Sequence, residues 1–579
     1  MSQIMINDLT FSYDTAYDNI FEHVNFIIDT DWRLGFIGRN GKGKTTFLNL
    51  LLGKYEYKGS ITSSVQFDYF PFEVEDEEEN TLALIKNKIA PFAEWEEQMR
   101  QCLIQMEGIQ EENHRKGDAQ TRDIQTENIG TENQRTRDAQ AGDTQTEDMP
   151  LETPEQAEEV LERYGRLLDL YQAHDGYVAG ELIEKELGKL QVDPSVLDRP
   201  FRTLSFGERT KVMLAALFLK KNRFLLIDEP TNHLDMEGRE VLAEYLRTKQ
   251  GFILVSHDRA FLDACIDHVL SINRADIEVM KGNYTSWQQN KEQQDKYELE
   301  KNQQLKKEIT ILGEAAKRAM GWSDQVEASK IGAHVGDRGF VGHRAAKMMK
   351  RAKSIESRKL DAMEEKKGLL KNVEQVDALK MNLLPFPKKR LMDAKEISLF
   401  YDGREIADHI NFTLQEGDRI AIRGRNGSGK TSLFRLLLGE NIDYKGNIYV
   451  APGLRISYIS QDTSGLSGDL SDFAIRYGLD ETIFKTVLRQ LDFGRSQFEK
   501  DIREFSAGQK KKVLLAKSLA EPAHVFLWDE PLNFIDVISR VQIEELILRY
   551  QPTMVFVEHD KVFQEKIATK TVLLQRLGR

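Results

Sequence analysis

Cysteine is nearly missing from this 579-residue chain, which has only Cys102 and Cys265. Two cysteines cannot build a disulfide framework, and such scarcity suits a reducing compartment. Long apolar runs are missing as well. No stretch approaches the ~18 residues that cross a bilayer, and the opening MSQIMINDLTFSYD lacks the basic region and apolar core of an export signal. The expectation is a cytoplasmic protein with no membrane domain of its own. Positive charge is also in deficit, with 80 Lys and Arg against 94 Asp and Glu and a net charge of -14. That balance argues against nucleic-acid binding, and no DNA partner is expected, although a local basic patch can override the total. What is present, 40% hydrophobic and 30% charged residues, is a soluble globular profile. The length exceeds what one core organises, so two or more domains are expected.

The chain repeats itself once. GFIGRNGKGKTTFLNLLLG (35–53) matches AIRGRNGSGKTSLFRLLLG (421–439). LSFGERTKVMLAALFLKKNRFLLIDEPTNHLD (204–235) matches FSAGQKKKVLLAKSLAEPAHVFLWDEPLNFID (505–536), and ILVSHDRAF (253–261) matches VFVEHDKVF (555–563). Ser205 to Asp228 and Ser506 to Asp529 are each 23 residues apart, so these are two copies of one domain. Lys44 to Ser205 spans 161 residues but Lys430 to Ser506 only 76, which leaves about 85 extra residues in the first copy. Much of that excess is a polar, repetitive stretch at about 115–148, whose composition predicts disorder. Its flanks read as helices, giving an arm over about 90–165. The expected division is 1–287, 288–388 and 389–579.

The middle segment, 288–388, reads as a long α-helical hairpin. Leu305, Ile309, Leu312 and Ala316 keep a coiled-coil seam, as do Ala345, Met348, Ala352 and Ile355. Glycines at 332, 336, 339 and 342 place the turn near 332–343, and LLPFPKKR (383–390) closes the segment with two prolines. Residues 330–359 carry nine Lys or Arg against two acids, a strongly basic tip in an acidic protein.

Gly38–Thr45 and Gly424–Thr431 each fit G-x-x-x-x-G-K-[ST], between a strand-like and a helix-like run. Such a loop turns backbone N–H groups towards phosphates at a helix N-terminus. The candidate nucleotide residues are Gly38, Asn40, Gly41, Gly43, Lys44, Thr45 and Thr46, and their counterparts Gly424, Asn426, Gly427, Gly429, Lys430, Thr431 and Ser432. Lys44 and Lys430 are expected on the β- and γ-phosphates, and Thr45 and Thr431 on Mg²⁺. FLLIDEP and VFLWDEP are buried-strand patterns ending in paired acids. Asp228 and Asp529 are expected to support the metal, and Glu229 and Glu530 to polarise the attacking water. His257 and His559, each at a strand's end, are expected at the γ-phosphate.

With LSFGE and FSAGQ added, the set resembles the ATP-binding-cassette (ABC) ATPases. The resemblance implies an α/β fold of two tandem P-loop nucleotide-binding domains, using ATP and Mg²⁺. It also implies head-to-tail pairing within the chain, so that a monomer suffices. One site then joins Lys44, Asp228, Glu229 and His257 to Ser506 and Gly508. The other joins Lys430, Asp529, Glu530 and His559 to Ser205 and Gly207. Tyr13 and Tyr401 fall at the family's adenine-stacking position. Gln461 matches its glutamine after the third strand, a metal and nucleotide contact, where the first copy has Phe72 instead. The two sites are therefore expected to behave differently.

Two cassettes, a charged interdomain hairpin and GNYTSW (282–287) resemble the ABC-F family. That resemblance implies binding at the ribosome's tRNA exit site, with the hairpin carried towards rRNA and P-site tRNA. The long hairpin, DEPLNFID and the short stretch after His559 look most like the antibiotic-resistance members of the Lsa/Vga type, which counter lincosamides, pleuromutilins and streptogramin A. A housekeeping ABC-F factor rescuing stalled ribosomes and a transporter-associated ATPase are the alternatives. One test follows from composition alone. Deleting 115–148 is expected to leave thermal stability and ATP hydrolysis within error of the intact chain, and a marked fall in melting temperature would show that the stretch is packed.

Overall fold

The computed structural model describes residues 2–13, 19–107, 154–232, 234–273, 276–328, 379–401 and 403–574, with isolated helical positions at 347, 350, 354, 357 and 358. The expected disorder at 115–148, the glycine turn at 332–343 and most of the returning hairpin arm lie outside the described residues.

Each repeat folds into a small antiparallel sheet and a larger, mostly parallel one. In the first, β1 (Gln3–Phe11) sits between β2 (Phe21–Asp29) and β4 (Lys58–Ser63), both antiparallel to it. The larger sheet has the order β5-β6-β7-β3-β8-β9, from β3 (Arg33–Ile37), β5 (Gln66–Phe70), β6 (Arg223–Asp228), β7 (Phe252–Val255), β8 (His268–Asn273) and β9 (Asp276–Lys281), with only β9 antiparallel. The second repeat follows the same plan. β10 (Arg390–Tyr401) lies between β11 (Arg404–Gln415) and β13 (Tyr444–Val450). β12 (Arg419–Arg423), β14 (Ile456–Ile459), β15 (Val525–Asp529), β16 (Met554–Val557) and β17 (Lys570–Leu573) form a parallel sheet of order β14-β15-β16-β12-β17. The expected tandem α/β architecture is the one the chain adopts.

The central strands read as unbroken apolar runs because both faces are covered, as parallel sheets require. Leu225, Ile227 and Leu254 face one cluster with the helix Phe206–Leu219, while Phe224, Leu226 and Ile253 face the antiparallel sheet. The second repeat splits its core the same way, around Phe526 and Trp528 on one side and Val525 and Leu527 on the other. The cores meet: Val537 of the second repeat belongs to the first repeat's cluster.

Helices span 92–107 and Pro154–Ala173, and they pack through Phe92 and Tyr171, whose rings stand 5.4 Å apart edge to face. The long helix Tyr284–Ala328 begins four residues before the expected 288. Its start is set locally. The Asn283 side chain accepts from the Ser286 N–H at 3.1 Å, Asp263 accepts from the Thr285 N–H at 2.8 Å, and Tyr284 is buried. Along it Leu305 is buried and Ile309 and Leu312 are half-buried, as the seam spacing predicts. At 1.5 Å per residue a helix of this length reaches roughly 70 Å. No helix among the described residues is long and apolar enough to cross a membrane.

Candidate active site

Both phosphate loops are shaped by glycine. Gly41 and Gly43 have φ of 81° and 99°, and Gly427 and Gly429 have 76° and 86°, the left-handed region that disfavours a Cβ. At Gly43 a Cβ would also stand 2.5 Å from the Ile20 side chain. Each loop folds over its lysine. Lys44 Nζ donates to the carbonyls of Gly38 (2.6 Å) and Arg39 (3.1 Å) and reaches Asn40 Oδ1 at 3.4 Å. Lys430 Nζ donates to Gly424 (2.8 Å) and Arg425 (3.2 Å). Burial lowers the pKa of both lysines, opposed by Asp536, Glu229 and Asp228 around Lys44 and by Glu530, Asp529 and Asp235 around Lys430.

The hydroxyls of Thr45 and Thr431 donate to Asp228 (3.2 Å) and Asp529 (2.8 Å). A hydroxyl beside a carboxylate, facing a phosphate loop, is the hard-oxygen pair that suits Mg²⁺. Burial raises the Asp228 pKa and pushes that of Asp529 up to about 6. Sequence reasoning missed Tyr69, whose hydroxyl donates to Asp228 at 2.9 Å. Its counterpart in strand register, Tyr458, lies near Asp529 and, as for Tyr69, burial raises its pKa first, here to about 12.

The two acids after the strands sit in one unusual conformation. Glu229 and Glu530 both have φ of 50°, rare for a residue with a side chain, and their recurrence at matched positions marks strain held at a functional site. Their partners differ. Glu530 accepts from Gln461 Nε2 (2.9 Å) and Asn533 Nδ2 (2.6 Å) and faces His559 Nε2 at 3.2 Å. Burial works against its charge, but His559, Lys430 and Lys511 outweigh that and hold the carboxyl below its ordinary value. Glu229 Oε1 stands 3.3 Å from His257 Nε2 and is buried without a hydrogen bond among the described residues. Burial first, then Asp228, raises its pKa to about 8. Burial also depresses His257, keeping the imidazole neutral. Gln461, expected on the metal, thus lies on Glu530 rather than on the Thr431–Asp529 pair.

The candidate signature serines cap their own helices. Ser205 Oγ accepts from the Glu208 N–H and Ser506 Oγ from the Gln509 N–H, each at 3.3 Å, and both are exposed. Opposite repeats meet at the first site. Asn40 Nδ2 donates to the Phe534 carbonyl at 2.7 Å, Gly508 is buried, and a Cβ there would stand 3.4 Å from Asn40 Nδ2. Arg39 pairs with Asp492 at 3.8 Å, both half-buried or less. The second site is looser. Arg425 and Asn426 are exposed, Arg425 meets Glu237 at 2.7 Å with both side chains mostly exposed, and among the described residues a Cβ at Gly207 would meet Leu234 alone. Tyr13 edges against Phe11 and Tyr55, and its hydroxyl bonds Thr46 at 2.9 Å; Tyr401 is 67% exposed, its ring free for stacking. Ser432 is half-buried beside its loop.

Another missed group is Glu558, buried before His559. Its carboxylate accepts from the Leu532 N–H at 2.7 Å, where the first repeat has a Thr231–Ser256 hydroxyl pair at 3.2 Å. The differences EHD for SHD and DEPL for DEPT are thus one coupled exchange. Burial raises the Glu558 pKa to about 7 from 4.5. An acid raised in the folded state stabilises it fully below the unfolded pKa, and that contribution is lost as pH rises through about 7. Glu558→Gln keeps the acceptor without the charge. The ligand-free variant is therefore expected to gain on the parent by up to about 3 kcal/mol between roughly pH 5 and 8, read from denaturant unfolding; parallel curves would contradict the assignment.

A family model described as ABC transporter matches residues 21–232 and 407–533. The ribosome protection protein VmlR of Bacillus subtilis (strain 168) is 29% identical over 392 residues, covering 66% of this chain and 70% of that one. The energy-dependent translational throttle protein EttA of Mycobacterium tuberculosis (strain CDC 1551 / Oshkosh) is 26% identical over 431 residues, 72% of each chain. Among solved structures, archaeal ribosome recycling factor aABCE1, in complex with ribosomal stalk protein aP1, aligns with a TM-score of 0.52 at 16% identity, over 99% of this chain and 90% of that one. That last likeness speaks for the fold.

Proposed function

We infer function from lineage and site together: the chain belongs to the ABC transporter family, and within it to the ABC-F proteins. It is an ABC-type ATPase. The reading we propose is that it binds the ribosome in its ATP state at the tRNA exit site, and that its hairpin protects the peptidyl-transferase centre against lincosamides, pleuromutilins and streptogramin A. The observation that carries this is the 45-residue helix Tyr284–Ala328, rooted in the first cassette and leading into the basic segment before the second. Nine cations over 330–359 suit contact with RNA phosphates. A relative named for ribosome protection and another named as a translational throttle support the same reading, and the latter keeps a housekeeping translation role as the second one. A cytoplasmic, monomeric protein with rRNA and P-site tRNA as its contacts completes the proposal.

Chemistry follows from the residues. The loop amides and Lys44 or Lys430 hold the β- and γ-phosphates. The Thr45–Asp228 and Thr431–Asp529 pairs would hold Mg²⁺, which neutralises charge on the phosphates. Glu229 or Glu530 orients the attacking water and His257 or His559 faces the γ-phosphate. Gly508, with Ser506 beside it, closes the first site from the opposite cassette, and Ser205 and Gly207 serve the second.

Replacing both glutamates by glutamine keeps size and hydrogen bonding but removes the carboxylate. Glu229→Gln with Glu530→Gln is expected to hydrolyse ATP very slowly and to accumulate on ribosomes in ATP. It should come off when ATP is withheld and bind less in high salt. Co-sedimentation checks this, and a yield no higher than that of a Lys44→Ala, Lys430→Ala control would remove the ribosome from the proposal. Excising 332–343 addresses the drug-protection part. A sensitive host should lose tolerance with the excised protein while basal ATPase activity persists; equal tolerance with intact and excised protein would favour the housekeeping role.

A further inference from the structure

The two faces of the cassette interface differ at a few residues. Beside the first site, Arg259 follows His257 by two positions and points into the second cassette. Its guanidinium is buried against the Glu544 carboxylate, with Nη1 donating to Oε2 at 3.2 Å, and lies 3.4 Å from Asp560. Lys566 adds a second cation to Glu544 at 3.3 Å, and Arg540 meets Asp560 at 3.2 Å. Arg259, Glu544 and Asp560 are 3%, 2% and 0% exposed in their side chains.

The repeat alignment supplies the matching positions on the other face: Lys561 for Arg259, Ala243 for Glu544, Ala264 for Lys566, Asp258 for Asp560 and Arg239 for Arg540. All five line a cavity of about 320 Å³. The cavity is the space left where two alanines replace the Glu544–Lys566 pair. Among the described residues Lys561 pairs there with Glu240 alone, at 3.6 Å, with side chains 50% and 66% exposed.

We propose that Arg259, Glu544 and Lys566 are positioning residues that keep the cassettes joined at the first ATP site while the second site opens and turns over. Parting Arg259 from Glu544 would strand charges that have no water to meet them. Parting Lys561 from Glu240 exposes groups that are already solvated. The covering of each phosphate loop runs the same way: Arg39 and Asn40 are half-buried under the second cassette, and Arg425 and Asn426 are exposed. The long helix is rooted at the joined face. Tyr284, its first residue, is 3% exposed and lies in the field of Arg259, Glu544 and Asp560. Opening at the second site therefore turns about the point from which the long helix emerges.

The test uses the full chain, ATP turnover and spin-label pairs at matched exposed positions, Lys54 with Glu504 across the first site and Glu440 with Thr203 across the second. Ala243→Glu with Ala264→Lys installs the missing pair opposite Lys561. It is expected to hold the second-site distance at its closed value through the cycle, with kcat lower by about tenfold or more and KM for ATP little changed, because a buried pair must then part before opening. Glu544→Ala with Lys566→Ala is expected to broaden the first-site distances. An unchanged kcat together with unchanged second-site distances in the first variant would overturn the proposal. So would first-site distances like the parent's in a folded Glu544→Ala, Lys566→Ala protein; should that variant not fold, the Ala243→Glu, Ala264→Lys result decides alone.

Discussion

A lysine ammonium buried inside its own loop is the constraint from which this molecule is built. Lys44 and Lys430 are 8% and 7% exposed. A cation so placed is stable only if the surrounding carbonyls and carboxylates compensate for lost water. The loop supplies the carbonyls, which is why glycines must take left-handed angles at Gly41 and Gly43. The neighbouring strand supplies the carboxylates, which is why β6 and β15 each end in Asp with Glu directly after. A phosphate entering the loop then replaces those carbonyls as the partner of a charge already desolvated and aimed.

Holding an acid pair beside that lysine carries its own cost. Asp228 with Glu229 and Asp529 with Glu530 are adjacent carboxylates at the edge of a buried sheet, and like charges so close raise one another's pKa values. The left-handed φ of 50° at both glutamates turns the second carboxylate away from the first and towards the histidine. At the second site three donors then converge on Glu530. At the first, Phe72 stands where Gln461 would be, and Glu229 keeps one buried oxygen without a hydrogen bond among the described residues. The same backbone strain thus sits in two different local environments, and the exchange of Gln461 for Phe72 just past the neighbouring strand is one of the differences.

How much of this was legible in the sequence follows from the range of the interactions. The phosphate loops were readable because their geometry is fixed within eight residues by glycine and lysine. The strands before the acids were readable because burial on both faces leaves an unmistakable apolar run. The helix seam at Leu305, Ile309 and Leu312 was readable by period, yet its start at Tyr284 was not, since Asp263 and the burial of Tyr284 fix it from another helix. Tyr69 was hidden because a strand tyrosine reads as core; only register places its hydroxyl on Asp228. Glu544 and Ala243 were equally hidden. Neither falls in a motif, and Arg259 is 285 residues away from its partner. Aligning the repeats against each other position by position, rather than motif by motif, was the signal that could have exposed them.

Duplication explains why the two sites can diverge without the fold failing. Each copy brings its own pair of cores, so either can accept changes at the shared face while the sheets stay intact. A symmetric pair of buried ion clusters would bind the cassettes on both sides. Losing either partner of such a cluster costs about 3–5 kcal/mol, comparable to a large part of a domain's net stability. Two such clusters would oppose any opening that ATP hydrolysis is meant to drive. Replacing one cluster by alanines and a cavity removes that opposition on one face alone. The remaining cluster keeps the chain a single body, and it does so next to the residue from which the long helix starts. A change of a few ångströms at the open site, turned about that fixed point, is multiplied along a helix of roughly 70 Å. One-sided joining is therefore what allows small movements at a phosphate to become large ones at the far end of that helix.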